Sequence, residues 1–340
     1  MQYQLSQYLY LALATFIFVG ALTPIMRKVA LRIGAVDAPN LSRKDQSEPV
    51  PYLGGVAIVL GVLVATYSTV LIKDENLGLA STVLIPGLIM AAMGLVDDLK
   101  GLPPWPRLIT QTIVGVSVAA LLISTDTIGT PSQIFFVDAI ITVLWIVGIC
   151  NSINFFDNLD GGAAGTVVVI SIFTFLIAFD RGQIMISALS IVTAGATAGF
   201  LIWNRPPAKI YMGDAGALFL GIIVAVLTIR LNPAIQPNWK SLSIPLYLLA
   251  VPLLDTTVAV TSRISRGISP FTGGRDHLSH RLMRKGLHRR TAAISLWALA
   301  GVYGLNAYAI YKQQSTALII LAALTWISLY VFFIRIPHSD

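Results

Sequence analysis

Cysteine and charge are scarce in this chain, and each scarcity closes off a class of protein. Cys150 is the only cysteine among 340 residues, so no intrachain disulfide can form. Charged residues make up 11% of the chain, where a soluble domain carries about 25%. The alternating apolar pattern of a membrane β-barrel is absent. No basic stretch precedes the first apolar run, which therefore reads as a retained span and not as a cleaved signal. No soluble domain, low-complexity linker or internal repeat interrupts the chain.

What remains is apolar. Hydrophobic residues make up 56% of the sequence and mean hydropathy is +0.78. Runs near the ~20 residues that a bilayer requires fall at 6–26, 53–72, 79–96, 107–124, 135–150, 162–179, 184–203, 215–230, 242–262, 292–311 and 316–334. The expectation is an all-α polytopic membrane protein with about eleven transmembrane helices, forming one domain over 1–340.

Lysine and arginine set the expected orientation. Loops 27–52, 97–106, 151–161, 204–214 and 263–291, with the C-terminal tail and Arg107 at a loop edge, carry eighteen basic residues. The opposite loops carry five: Lys73, Arg181, Arg230, Lys240 and Lys312. The first set is expected in the cytoplasm, with the N-terminus outside and the C-terminus inside. This asymmetry also accounts for the net charge of +7, so nucleic acid is not implied. The bilayer is the expected partner, and a homodimer is left open.

Four polar clusters stand at the ends of the apolar runs, all in the basic loop set. Carboxylates so near hydrocarbon are costly and persist mainly for function. Asp97 and Asp98 follow Gly94-Leu95-Val96; on a helix they point about 100° apart and should hold different roles. Asn151, Asn154 and Asp157 share a helical face, which Asp160 extends only if the helix continues to Gly161-Gly162. Asn204 through Met212-Gly213-Asp214 joins two spans, and Asp214 suits either a helix N-cap or a ligand site, with Lys209 near by. The 263–291 loop holds Arg275-Asp276-His277 and His280-Arg281. Zinc would need further Cys or His ligands; donors around a pyrophosphate are the better reading. Asp255, within a span, is expected to face the bundle interior. The gathered acids point to a divalent cation and a phosphate-bearing substrate.

In this order, the clusters resemble the polyprenyl-phosphate N-acetylhexosamine-1-phosphate transferase family (glycosyltransferase 4 family) from about Asp37 to Arg290. The Asp37-x-Pro39-Asn40-x-x-Arg43-Lys44 entry and the Asp-His-Leu-x-His-Arg-Leu ending at 276–282 also resemble it, the latter its UDP-N-acetylglucosamine branch. Ser279 and Gln46 depart from it, standing where histidine is frequent. The resemblance implies an enzyme of the plasma membrane with its active site on the cytoplasmic face. Undecaprenyl phosphate would attack a UDP-sugar there, forming polyprenyl-diphospho-N-acetylglucosamine and UMP. It implies Mg²⁺, with Mn²⁺ as substitute, on Asp214 and Asp98. It implies Asp97, Asp98, Asp157, His277 and His280 as catalytic residues, and Lys44, Asn154, Asp160, Asn204, Tyr211, Arg275 and Arg281 as substrate contacts. The alternatives are a phospho-N-acetylmuramoyl-pentapeptide transferase and, from another class, a secondary transporter with acidic ion sites.

The topology is checked by labelling. A cysteine introduced at residue 46 or 272 is expected to react from the cytoplasm, and one at 76 or 236 from outside. Labelling of residue 272 from outside would detach the histidine loop from the acids.

Overall fold

A computed structural model describes residues 3–37, 49–73, 77–129 and 131–336. The described chain is helical apart from turns and one two-residue ribbon. Helices α1 (Leu5–Ile33), α2 (Gly54–Lys73), α3 (Leu77–Lys100), α4 (Pro104–Ser124) and α5 (Phe135–Phe156) come first. Helices α6 (Gly162–Asp180), α7 (Ile184–Asn204), α8 (Gly213–Arg230), α9 (Asn238–Leu248) and α10 (Ala250–Ser265) follow, then α11 (Leu278–Arg284), α12 (Arg289–Gln313) and α13 (Thr316–Ile334). Strands β1 (Val36–Asp37) and β2 (Val50–Pro51) pair antiparallel between α1 and α2.

Ten of these helices are long and apolar enough to cross a bilayer. The expected eleventh span, 242–262, is broken: α9 and α10 meet at an angle of 74°. Pro252 supplies a cause, because it lacks the N–H that would bond the Leu248 carbonyl across the joint. Two polar clusters lie further inside helices than the apolar runs indicate. Helix α3 continues through Asp97-Asp98 to Lys100, and α5 continues past residue 150 to Phe156. Their polar side chains find partners within the protein, so the helix need not stop where the apolar run does; Asn151, for example, donates to Gln111 Oε1 at 2.6 Å.

Helix α8 is the hub. It is buried from Ala215 to Arg230 and apolar on every face, the signature of an interior helix. It packs against α3, α5 and α2. Small residues permit that approach. A Cβ on Gly94 of α3 would lie 2.4 Å from the Asp214 carbonyl, and one on Gly55 of α2 would lie 2.3 Å from the Gly216 nitrogen. The starts of α2 and α8 and the ends of α3, α5 and α7 therefore meet at one end of the bundle. Exposed apolar side chains, such as Leu9, Leu13 and Ile17 of α1 and Leu321, Leu324 and Ile327 of α13, cover outward faces, as lipid contact requires.

Replacing Gly94 tests this packing. Gly94→Val is expected to separate α3 from α8 at a cost of about 1–3 kcal/mol. A lowered Tm in detergent, together with lost turnover, is the expected result. An unchanged Tm would show that the two helices are not held so closely.

Candidate active site

The first turn of α8 organises the site. Gly213 takes a positive φ of 69°, and the next two amides point at a carboxylate from another helix. Asp98 Oδ1 accepts from Asp214 N at 2.8 Å, and Oδ2 accepts from Ala215 N at 3.1 Å. Asp98 thus caps α8 from α3, and its negative charge sits at the positive end of the α8 dipole. A Cβ at Gly213 would fall 2.5 Å from Asp98 Oδ2, so the close approach needs glycine.

Asp97 turns elsewhere, as its position beside Asp98 on a helix demands. Its Oδ1 accepts from Leu102 N at 2.6 Å, and its Oδ2 accepts from Arg107 Nη1 at 3.0 Å. The same Nη1 donates to Asp214 Oδ2 at 3.0 Å. Asn154 Nδ2 donates to Asp214 Oδ1 at 2.8 Å. Arg107 was not singled out from the sequence. Its only signal there is a basic residue in the first turn of α4, ten residues after Asp97.

Asn154 and Asp214 border a cavity of about 390 Å³, whose lining does not include Asp97 or Arg107. Asp98, Asn154, Asp157, Asp160, Asn204, Tyr211, Asp214 and His280 all line it, joined by Asp37, Tyr52, Asn158 and Arg289. Helix α5 ends at Phe156, so Asp157 is its C-cap and the helical face does not extend to Asp160. Asp160 arrives through the following turn instead, which Gly161 closes at φ 68°. Its Oδ2 accepts from Ala208 N at 3.0 Å. Asn204 fastens the same turn to the next loop: its Oδ1 accepts from Gly161 N and its Nδ2 donates to the Ile210 carbonyl, both at 3.0 Å.

Acidic crowding leaves a mark on the loop groups. Burial, then the charges of Asp214, Asp98 and Asp160, push the Asp157 carboxyl up to about 8. Burial, then the Asp160 charge, raise the Tyr211 hydroxyl as well, so it stays a neutral phenol. The available donors are oxygens, the kind that suits a hard divalent cation. Among the described residues no three acidic, His or Cys side chains already form a cage. Mg²⁺ would need only one or two carboxylates beside waters and substrate phosphates. Asp214 and Asp98 both line the cavity.

The final loop departs from expectation. His280 faces the cavity, but His277 is 5% exposed and engaged at both ring nitrogens. Its Nδ1 lies 2.7 Å from Asp255 Oδ2, and its Nε2 lies 3.1 Å from Arg263 Nη2. With arginine an obligate donor, the consistent tautomer donates from Nδ1 and accepts at Nε2. Asp255 Oδ1 also accepts from Leu278 N at 2.7 Å. Arg263 continues to Asp276 Oδ2 at 3.0 Å and lies 5.6 Å from the Phe155 ring centroid. His277 is therefore the middle of a buried brace tying α10 to α11. Its expected contact with the diphosphate has no free ring nitrogen to make it.

Arg281, expected as a substrate contact, is fully buried and is not in the cavity lining. Its Nη1 donates to the carbonyls of Phe333 at 2.8 Å and Ile336 at 2.6 Å, and its Nε donates to the Asp276 carbonyl at 2.8 Å. It closes the C-terminus of α13. Arg275 lies outside the cavity lining, and Lys44 and Gln46 lie outside the described residues. Ser279 is buried and donates to Asn158 Oδ1, so it orients a lining residue.

Comparison with known proteins adds a second line of observation. Residues 80–232 match the model of Glycosyl transferase family 4. Over 320 residues the chain is 31% identical to the probable undecaprenyl-phosphate N-acetylglucosaminyl 1-phosphate transferase of Bacillus subtilis, spanning 93% of this chain and 85% of that protein. The decaprenyl-phosphate N-acetylglucosaminephosphotransferase of Mycolicibacterium smegmatis is 31% identical over 332 residues, spanning 88% and 81%. A phospho-N-acetylmuramoyl-pentapeptide-transferase of Streptococcus thermophilus is also 31% identical, but over 200 residues, 54% of this chain and 59% of that protein.

The brace is tested at its buried acid. Asp255→Ala removes two hydrogen bonds to a charged acceptor and is expected to cost about 3–5 kcal/mol. The loss should appear as a lower Tm and as faster proteolysis within 263–291. An unchanged digestion pattern would mean that Asp255 does not hold this loop.

Proposed function

The chain belongs to glycosyl transferase family 4, the polyprenyl-phosphate N-acetylhexosamine-1-phosphate transferases, and from that premise we propose that it transfers N-acetylglucosamine 1-phosphate from UDP-N-acetylglucosamine to undecaprenyl phosphate. The products are undecaprenyl-diphospho-N-acetylglucosamine and UMP. The observation that carries this reading is the convergence of carboxylates from α3, α8 and the turn after α5 on one cavity at an end of the membrane bundle. A prenyl chain can lie among the apolar helices while its phosphate reaches that end, and a nucleotide can enter from water.

A phosphate oxygen of the lipid attacks the β-phosphorus of the UDP-sugar. The new P–O bond forms as the bond to the UMP oxygen breaks, and UMP leaves with the electron pair. The lipid phosphate is already largely ionised at pH 7, its second pKa being about 6, so alignment and charge shielding matter more than a strong base. Bound Mg²⁺ supplies charge neutralisation on the diphosphate. Arg107 holds Asp97 and Asp214 in fixed register from one nitrogen. Asn154 orients Asp214 from the other side. Asp98 fixes the α8 N-terminus on which Asp214 stands. His280 and Arg289 provide basic groups on the lining for phosphate oxygens. In this reading the cavity opens to the cytoplasm, in keeping with the basic-loop asymmetry.

The pentapeptide alternative is disfavoured by coverage, since that relative matches 54% of the chain and the first N-acetylglucosamine-1-phosphate relative matches 93%. The transporter alternative is disfavoured by position, because the acids stand at helix ends instead of mid-membrane breaks.

Purified protein should turn over UDP-N-acetylglucosamine and not UDP-N-acetylmuramoyl-pentapeptide. Activity should stop with EDTA and return with Mg²⁺ or Mn²⁺. Turnover in metal-free buffer would remove the cation, and turnover of the pentapeptide substrate alone would change the sugar. Arg107→Gln and His280→Ala should each cost at least about tenfold, the size of one lost charge-assisted contact. The raised Asp157 carboxyl is protonated at neutral pH, and a cation drawing on its charge competes with that proton. Cation affinity should therefore rise with pH through about 8, and Asp157→Asn should flatten the rise.

A further inference from the structure

A second cavity, also about 390 Å³, lies at the end of the bundle away from the acids. Helix α8 runs from Gly213 at the acidic cavity to Arg230 at this one, and its 18 residues span about 27 Å. The walls are mostly hydrocarbon, including Leu11, Val70, Ile186 and Val192 from three helices. Several polar side chains break that surface; Thr69 bonds the Ala65 carbonyl and Gln183 the Arg230 carbonyl, whereas Arg230 and Thr66 point to a ligand. Arg230 is 6% exposed and Thr66 is 5% exposed. Arg230 Nε and Thr66 Oγ1 have no hydrogen-bond partner. Arg230 Nη1 reaches only a hydroxyl, Thr82 Oγ1, at 3.4 Å. No carboxylate among the described residues pairs with this guanidinium.

An arginine cannot shed its charge in a protein, and a buried, unpaired charge is strongly destabilising. An anion within the cavity would remove that penalty. A small soluble anion would pair with Arg230 yet leave the apolar walls wet. A phosphate head group on a hydrocarbon tail satisfies both surfaces: guanidinium and Thr66 hydroxyl take the phosphate, and the apolar walls take the first part of the tail. Arg230 is the last residue of a helix long and apolar enough to cross a bilayer, and phospholipid head groups lie at the ends of such helices.

We propose that this cavity is a binding site for an anionic, phosphate-headed membrane lipid, held by Arg230 and Thr66 and separate from the transferase site. It does not depend on the transferase reading, because no residue is shared between the two cavities.

The test uses full-length protein washed free of lipid in detergent, with binding read as a saturable rise in Tm. The probes are short-chain phosphatidylglycerol, the matching diacylglycerol, a short prenyl phosphate and inorganic phosphate. Phosphatidylglycerol should stabilise the wild type, and diacylglycerol, which has the same tails without phosphate, should not. Arg230→Gln should weaken the response at least about tenfold. Thr69→Phe, which keeps Arg230 and fills the cavity from α2, should do the same, and it serves where the arginine variant fails to fold. Asp214→Asn should leave the response intact. An equal response in wild type and in either cavity variant overturns the site. Equal stabilisation by diacylglycerol reduces it to an apolar groove. A response to inorganic phosphate as strong as to the lipid makes it a free-anion site, and a response to prenyl phosphate alone assigns it to the acceptor; both overturn the phospholipid assignment.

Discussion

The capping of α8 by Asp98 is the contact on which the acidic site depends. The first amides of a helix have no partner within it and need acceptors from elsewhere. Here the acceptor comes from α3, five helices earlier in the chain, and both of its oxygens are used. The bond fixes the height of α3 against α8, which Gly94 allows to come close. That height in turn brings Asp97, Arg107, Asn154 and Asp214 within hydrogen-bond reach of one another. A carboxylate that would be an electrostatic burden in the bilayer thus serves as a structural cap.

Arg107 explains how so many acids coexist. One of its nitrogens bridges Asp97 and Asp214 and keeps two carboxylates from meeting without a cation between them. Nearer the loops, burial and the neighbouring Asp214, Asp98 and Asp160 push the Asp157 carboxyl up, while at Asp160 burial raises the carboxyl and the Arg289 charge opposes the rise. A diphosphate substrate would bring further negative charge to this side of the cavity.

The 263–291 loop contributes to the cavity mainly by being held still. Asp255, His277, Arg263 and Asp276 form a buried chain of charge-assisted contacts. Arg263 and Arg266 both engage Asp276 and outweigh the effect of its burial, holding its carboxyl below the usual range. Arg281 ties the same loop to the end of α13. With these groups committed to structure, His280 is the loop histidine left facing the cavity. Asn204, at the far side, plays a similar bracing part while also lining the space.

Amino-acid order alone determined the membrane class, the approximate spans and the four polar clusters, because a bilayer imposes length and polarity on each segment independently. It also determined that Asp97 and Asp98 diverge, since that follows from the turn of a single helix. Adjacency across the chain was decided only by tertiary structure. Residue types do not say which of two nearby histidines turns inward, and the short polar run at 276–281 reads equally well as a phosphate grip or as a buried brace. In the sequence Arg107 reads only as an orientation signal, because a lone basic residue at a span edge looks like any other until Asp97 and Asp214 stand on either side of it. Arg230 was counted among the few basic residues of the opposite loops for the same reason. Its burial depends on which helices pack around it, and local sequence carries no record of that packing.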